Sequence, residues 1–101
     1  MGIKNNWIYC IVIKGKIRYI GMTNDINKRE AQHRLNLKKN KDNLLYKNIK
    51  HYNIDVELTL TPIKSFNNRS DAMRYEAYLI LKDYFSDRHL WNKPPRVIKY
   101  F

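Results

Sequence analysis

Glu76 is an acidic residue in apolar company. On a helix, its neighbours three and four positions away are Ala72, Met73, Leu79 and Ile80. A carboxylate at the edge of a buried stripe is costly to leave unpaired. Two kinds of partner fit. One is a structural ion pair with Arg29 or Arg74. The other is a metal ion, since Mg²⁺ takes only one or two protein carboxylates and completes its shell with phosphate and water. Arg29 and His33 are four apart and share a helical face with Ile26 and Leu37. That face is expected to turn inward, where an arginine needs a reason. Its planar, permanent cation fits phosphate oxygens, although a salt bridge to Asp25 or Glu30 is an alternative. His33 can serve as a half-buried hydrogen-bonding group, hold Tyr9, or donate to phosphate. A fixed cation aimed at phosphoryl oxygens, where negative charge grows during phosphodiester cleavage, lowers that barrier.

Short elements must position these groups. Trp7–Ile13 and Ile17–Met22 are β-branched and aromatic runs separated by Lys14–Lys16, the pattern of a hairpin. A loop centred on Gly15 with an odd number of residues puts Tyr9 and Tyr19 on one face. A two-residue Gly15-Lys16 turn puts them on opposite faces. Composition alone makes both tyrosines ordinary packing residues. Thr23, Asn24 and Asp25 are N-cap candidates for a helix over Asp25–Leu37. Asp42 can cap a second helix, Asn43–Tyr52, with Leu45, Ile49 and Tyr52 on its inner face. Val56–Ile63 alternates as a third strand that ends at Pro62 or shortly after. Ser70 can cap a third helix, Asp71–Phe85, with Met73, Ala77, Ile80 and Tyr84 as its buried stripe. Residues 86–101 read as loop, with a short edge strand over Val97–Phe101. Strand, strand, helix, helix, strand, helix is an α/β arrangement of the α+β type: a small three-stranded antiparallel sheet flanked by about three helices.

The 101 residues suit one domain, with a core over about 7–92 and a basic extension over 93–101. The net charge of +11 points to a polyanionic partner, most simply nucleic acid. It is concentrated. Between Lys28 and Lys50 there are eight Lys or Arg and two acids, and from Lys93 onward three bases and no acid. Lys28, Lys38, Lys39, Lys41, Lys47 and Lys50 are the candidate nucleic-acid contacts. No apolar run approaches the roughly 20 residues of a membrane span. Met1–Asn6 is too short and polar for a signal peptide. The one cysteine, Cys10, is expected to be buried and inert, and an intracellular setting follows. One Cys and three scattered His do not make a usual Zn²⁺ ligand set. The abundance of Lys, Asn, Ile and Tyr suits an AT-rich coding sequence, as in a phage or mobile element.

Several stretches combine into one pattern: Trp7-Ile8-Tyr9, then Tyr19-Ile20-Gly21, then Thr23, Asn24, Asp25, Lys28-Arg29 and His33. Leu45–Asn53, Arg74-Tyr75-Glu76-Ala77 and Trp91-Asn92 follow. In order and spacing this resembles the GIY-YIG nuclease family, from about Trp7 to Asn92. Trp7 stands where the first glycine of the family name would be, and its presence there removes no functional group. The resemblance implies a DNA endonuclease using Mg²⁺ or Mn²⁺; duplex is the expected form of the DNA, and the chain in isolation is expected to be a monomer. It implies that Glu76 holds the metal, Arg29 steadies phosphoryl oxygens, and Tyr9 takes a proton from the attacking water. Tyr9 would then need a cation such as Arg29, Lys28 or the metal to lower its pKa, since a free phenol near 10 is a poor base. Tyr19 would orient water or phosphate. Asn92 would bring its amide near the phosphate or brace the site. Gly21 would let the backbone turn close to it. A basic binding module without activity, and a nuclease for RNA or branched DNA, remain open alternatives.

Overall fold

The computed structural model describes residues 5–86 and 89–92. The edge strand expected over Val97–Phe101 and the bases Lys93, Arg96 and Lys99 lie outside these residues. The elements are β1 (Asn6–Ile13), β2 (Lys16–Thr23), α1 (Ile26–Lys38), α2 (Leu44–His51), β3 (Thr61–Phe66) and α3 (Arg69–Tyr84). The strands form one antiparallel sheet in the order β2-β1-β3. The α+β architecture expected from the sequence is present.

The hairpin turns through two residues, Lys14 (φ 52°) and Gly15 (φ 81°), and pairs Ile13 with Lys16. Both positive φ values match the right-handed twist of the strands. A regular ladder continuing from that pair would oppose Cys10 to Tyr19 and leave the tyrosines on opposite faces. Instead a bulge inserts Arg18, so Val12 faces Ile17 while Ile11 faces Tyr19 and Tyr9 faces Gly21. Tyr9, Ile11 and Tyr19 therefore share one face. The bulge, which neither expected turn contained, aims the second tyrosine.

That face carries Tyr9, Ile11 and Ile13, which pack with Leu45, Tyr46 and Ile49 of α2 and with Leu58 and Leu60. The other face packs Ile8, Cys10 and Ile20 against Ala72 and Ile80 of α3. Cys10 is a buried free thiol, as expected.

The third strand starts later than its alternation suggested. Leu58 and Leu60 do alternate inward. Their backbone, however, is held by α1 side chains: Arg34 Nε donates to the Leu58 carbonyl (2.9 Å) and the Leu60 N–H donates to the Glu30 carboxylate (2.9 Å). Pairing with β1 begins only at Thr61 and includes Pro62. Proline is tolerated there because β3 is an edge strand with a bulge at Ile63, which skips one residue between Lys64 opposite Ile8 and Pro62 opposite Tyr9.

Two caps shift by one or two residues. Asn43, not Asp42, caps α2 by accepting from the Leu45 N–H, and Asp42 pairs with Lys47 at 2.7 Å. Asn68, not Ser70, caps α3 by accepting from the Ser70 and Asp71 N–H groups. The inner faces rotate correspondingly. On α2 the buried residues are Leu45, Tyr46 and Ile49, while Tyr52 is 61% exposed. On α3 Ala72 and Ile80 are buried and Met73 is 49% exposed. Glu76 is thereby aligned with Ala72 and Ile80, within the inward stripe and not at its edge. Among the described residues no helix is long and apolar enough to cross a membrane.

Candidate active site

Tyr9 and Tyr19 stack on their shared face, ring centroids 6.3 Å apart at 29°. Tyr9 is 2% exposed and leans across to Gly21, its cross-strand partner. Gly21 lies within β2, and its φ is not in the left-handed region. Its role differs from the turn expected of it: a side chain at position 21 would occupy the space the Tyr9 ring fills.

The β2–α1 junction is stiff. Thr23 Oγ1 donates to the Asp25 carbonyl and accepts from the Asp25 N–H, both at 3.1 Å. The Asp25 carboxylate then caps α1 by accepting from the Lys28 N–H at 3.0 Å. Helix α1 leaves the strand in a fixed direction, with His33 buried one turn beyond Arg29.

His33 is 4% exposed and bridges two phenols. Its Nε2 lies 2.8 Å from the Tyr9 hydroxyl and its Nδ1 lies 2.7 Å from the Tyr46 hydroxyl. The ring also meets Tyr19 edge to face, with centroids 5.3 Å apart. Burial, and secondarily the positive charge of Arg29, pushes the His33 pKa down to about 4. At neutral pH the imidazole is uncharged, with one nitrogen donating and the other accepting.

Tyr9 departs from the expectation of a lowered pKa. Burial and the neighbouring Tyr19 push it far above the usual phenol value; Arg29 opposes this without overcoming it. Tyr19 is likewise raised, first by burial. Neither is a phenolate at neutral pH. Tyr9 is instead a neutral hydroxyl bonded to a neutral imidazole.

Arg29 is exposed, not inward, so Ile26, His33 and Leu37 turn toward the protein and Arg29 stands at the rim. Among the described residues it makes no salt bridge, neither to Asp25 nor to Glu30. Its charge reaches Tyr9, Tyr19, His33 and Tyr46. Glu76 is half-buried, its pKa raised by burial, and no ion pair with Arg29 or Arg74 forms. The Glu76 charge also reaches Tyr9 and Tyr19. A cation from the α1 layer and an anion from the α3 layer thus act on the same two tyrosines.

Among the described residues no three His, Cys, Asp or Glu side chains gather as a metal-ligand set. Glu76 is partly desolvated and pairs with no described cation, and such a carboxylate fits a hard divalent ion such as Mg²⁺ or Mn²⁺ and does not fit Zn²⁺.

Asn92 braces the site. Its Oδ1 accepts from the Ile20 N–H at 2.9 Å and its Nδ2 donates to the Ile20 carbonyl at 2.8 Å. Strand β2 is an edge, so these backbone groups have no strand partner on that side. The Asn92 amide supplies one, next to Tyr19. Lys28, Lys38, Lys39, Lys41, Lys47 and Lys50 are all exposed, Lys47 in its pair with Asp42.

Tyr46, which bonds His33 from α2, is the candidate site residue that the helical pattern of α2 did not single out. The stripe Leu45–Ile49–Tyr52 placed the wrong tyrosine inside. A stripe two residues wide, Leu45-Tyr46 with Ile49, was equally available in the pattern.

The family described as the GIY-YIG catalytic domain matches residues 5–86. Among curated proteins and solved structures, none matches significantly.

Proposed function

The chain belongs to the GIY-YIG family of nuclease domains, and from that premise we propose that it is a divalent-metal-dependent endonuclease that hydrolyses DNA phosphodiester bonds by attack of water. The observation that carries this reading is the half-buried Glu76 carboxylate, which together with Arg29 forms no ion pair among the described residues, acting on the same tyrosines as that arginine.

Arg29 stands open to solvent at the rim, where its guanidinium can meet the scissile phosphate and steady the charge that grows there. Glu76 would hold Mg²⁺ or Mn²⁺. When bound, such an ion supplies positive charge against the leaving oxygen. The neutral Tyr9 oxygen accepts a proton from water as its own proton passes to His33 Nε2 at 2.8 Å. The Nδ1–H tautomer serves this relay, with Nδ1 donating to the Tyr46 oxygen. Arg29 lowers the basicity of His33 in the free protein. An arriving phosphate anion offsets that repulsion, so the relay becomes a better base once substrate is seated. Tyr19, stacked on Tyr9, orients water or phosphate.

The exposed lysines from Lys28 to Lys50 and the net charge of +11 support a nucleic-acid substrate. The buried free thiol of Cys10 suits a reducing, intracellular setting. One site per chain cuts one strand at a time.

Incubation with plasmid, linear duplex, branched DNA and RNA, each with Mg²⁺ and with EDTA, tests the reading. DNA cleavage with Mg²⁺ and none with EDTA is expected. Binding without cleavage under any metal would make the chain a basic binding module, and cleavage of RNA alone would reassign its substrate.

A further inference from the structure

An aromatic cluster beside the site has no part in the chemistry above. Trp91, adjacent to Asn92, packs against the edge of the Tyr9 core cluster. Its backbone N–H donates to the Arg18 carbonyl, and Arg18 immediately precedes Tyr19. The Arg18 guanidinium lies 4.8 Å from the Trp91 ring centroid and donates to the His89 carbonyl at 2.9 Å. Tyr52, at the C-terminal end of α2, stacks on Trp91 with centroids 6.2 Å apart at 20°. His51 meets Tyr52 edge-on at 4.8 Å.

Tyr52 is nevertheless 61% exposed. A ring placed for packing would be covered. This one is held nearly parallel to a tryptophan and left open, with the Arg18 guanidinium against that tryptophan and His51 edge-on to Tyr52 itself. Stacked, solvent-open aromatics among cations are how proteins hold unpaired nucleobases, because every base has a π face and the backbone is anionic. Base pairs within a duplex are already stacked and offer no free face. We infer that Tyr52, supported by Trp91, is a stacking platform for an unpaired nucleobase of the substrate close to the scissile phosphate. The substrates favoured are then strands with a single-stranded tail, gap or extruded base next to the cleavage point. This inference rests on the nuclease reading.

The test separates the two. Binding is measured in the Glu76→Gln variant, which keeps the basic surface, using DNA with 2-aminopurine at an unpaired position beside a duplex. Quenching on binding is expected, because a stacked 2-aminopurine is dark. Adding Tyr52→Ala should relieve the quenching and weaken binding of tailed DNA roughly five- to hundredfold, with fully paired duplex unaffected. Tyr52→Phe should restore both, since it keeps the ring. Equal weakening on tailed and paired DNA, or no change on either, would overturn the platform while leaving metal-dependent cleavage in place. If the unsubstituted chain bound no nucleic acid, the nuclease reading would fall and the platform with it.

Discussion

A Cβ on Gly21 would lie 2.3 Å from the Tyr9 hydroxyl oxygen and 2.4 Å from its Cζ. The two residues are cross-strand partners, and the absent side chain is the space in which the phenol sits. Gly21 therefore fixes where the Tyr9 oxygen points, and through it the bond to His33.

Gly21→Ala should accordingly damage catalysis more than stability. The Tyr9 ring is buried and cannot swing away freely, so overpacking should cost about 1–3 kcal/mol. A displacement of about 1 Å at a reacting oxygen should lower the rate about a hundredfold or more. Gly15→Ala is the control. Position 15 has open space but a φ of 81°, so strain alone should cost about 1 kcal/mol with the rate unchanged. Thermal melts and single-turnover cleavage on both variants check this; equal rates would remove the steric role of Gly21.

Tyr9→Phe keeps the ring and removes the oxygen that accepts the proton. Cleavage should fall by about 10²–10⁴. The fold should survive, but His33 Nε2 loses its buried partner, so stability should drop by about 1–3 kcal/mol. Tyr19→Phe should cost less on both measures, because no hydrogen bond to His33 is lost. Near-full activity of Tyr9→Phe would move the proton-accepting role to another group.

The pH dependence follows from His33. Unfolded, this histidine binds a proton near 6.5; folded, only near about 4. Between those values the unfolded chain holds more protons, so stability present above about 6.5 is lost as pH falls toward 4. The difference is roughly 3 kcal/mol. His33→Gln should abolish this part of the melting-temperature decline. Cleavage should show no rise through the alkaline range from phenolate formation, since Tyr9 is pushed upward. It should instead fall with acid as His33 becomes charged and can no longer accept. Parallel wild-type and His33→Gln melting curves from pH 7 to 4 would contradict the buried neutral imidazole.

Much of this was readable before the fold. The hairpin, three helices, Arg29–His33 spacing and the apolar neighbours of Glu76 are local patterns, and local periodicity carries them. What escaped depended on partners distant in sequence. The bulge at Arg18 is a property of the β1–β2 pairing, so the facing of Tyr19 could not be read from either strand alone. The segment containing Leu58 alternates like a strand, yet α1 side chains hold its backbone. Tyr46 and Tyr52 are both plausible inner residues of α2, and only the position of His33 selects Tyr46.

Nucleic-acid affinity should fall steeply with salt. Each duplex phosphate neutralised adds about 0.9 to the slope of log K against log salt. Charge reversal at Lys38 and Lys39 should flatten that slope by up to about two such steps. Lys47 already faces Asp42 at 2.7 Å, so reversing it alone should matter less than reversing Lys50. An unchanged slope in the Lys38/Lys39 double variant would place the binding surface elsewhere on the chain.

Glu76→Gln sets function against stability. The carboxylate lies in the stripe between Ala72 and Ile80, burial raises its pKa, and no described cation pairs with it. With the folded pKa above the unfolded one, the folded chain holds more protons near the carboxylate range, so ionisation of Glu76 works against folding as pH rises through it. Glutamine keeps the shape and removes the charge. The variant should melt at the same temperature as the wild type or higher at pH 7, and the gap should close as pH is lowered and Glu76 becomes protonated. Cleavage should vanish, because the one carboxylate proposed to hold the metal is gone, while duplex binding persists. A structural glutamate behaves the other way: its loss lowers the melting temperature and leaves cleavage of the remaining folded protein intact. Melting curves at pH 7 and pH 4, together with cleavage and gel-shift measurements on the same preparation, separate the two outcomes.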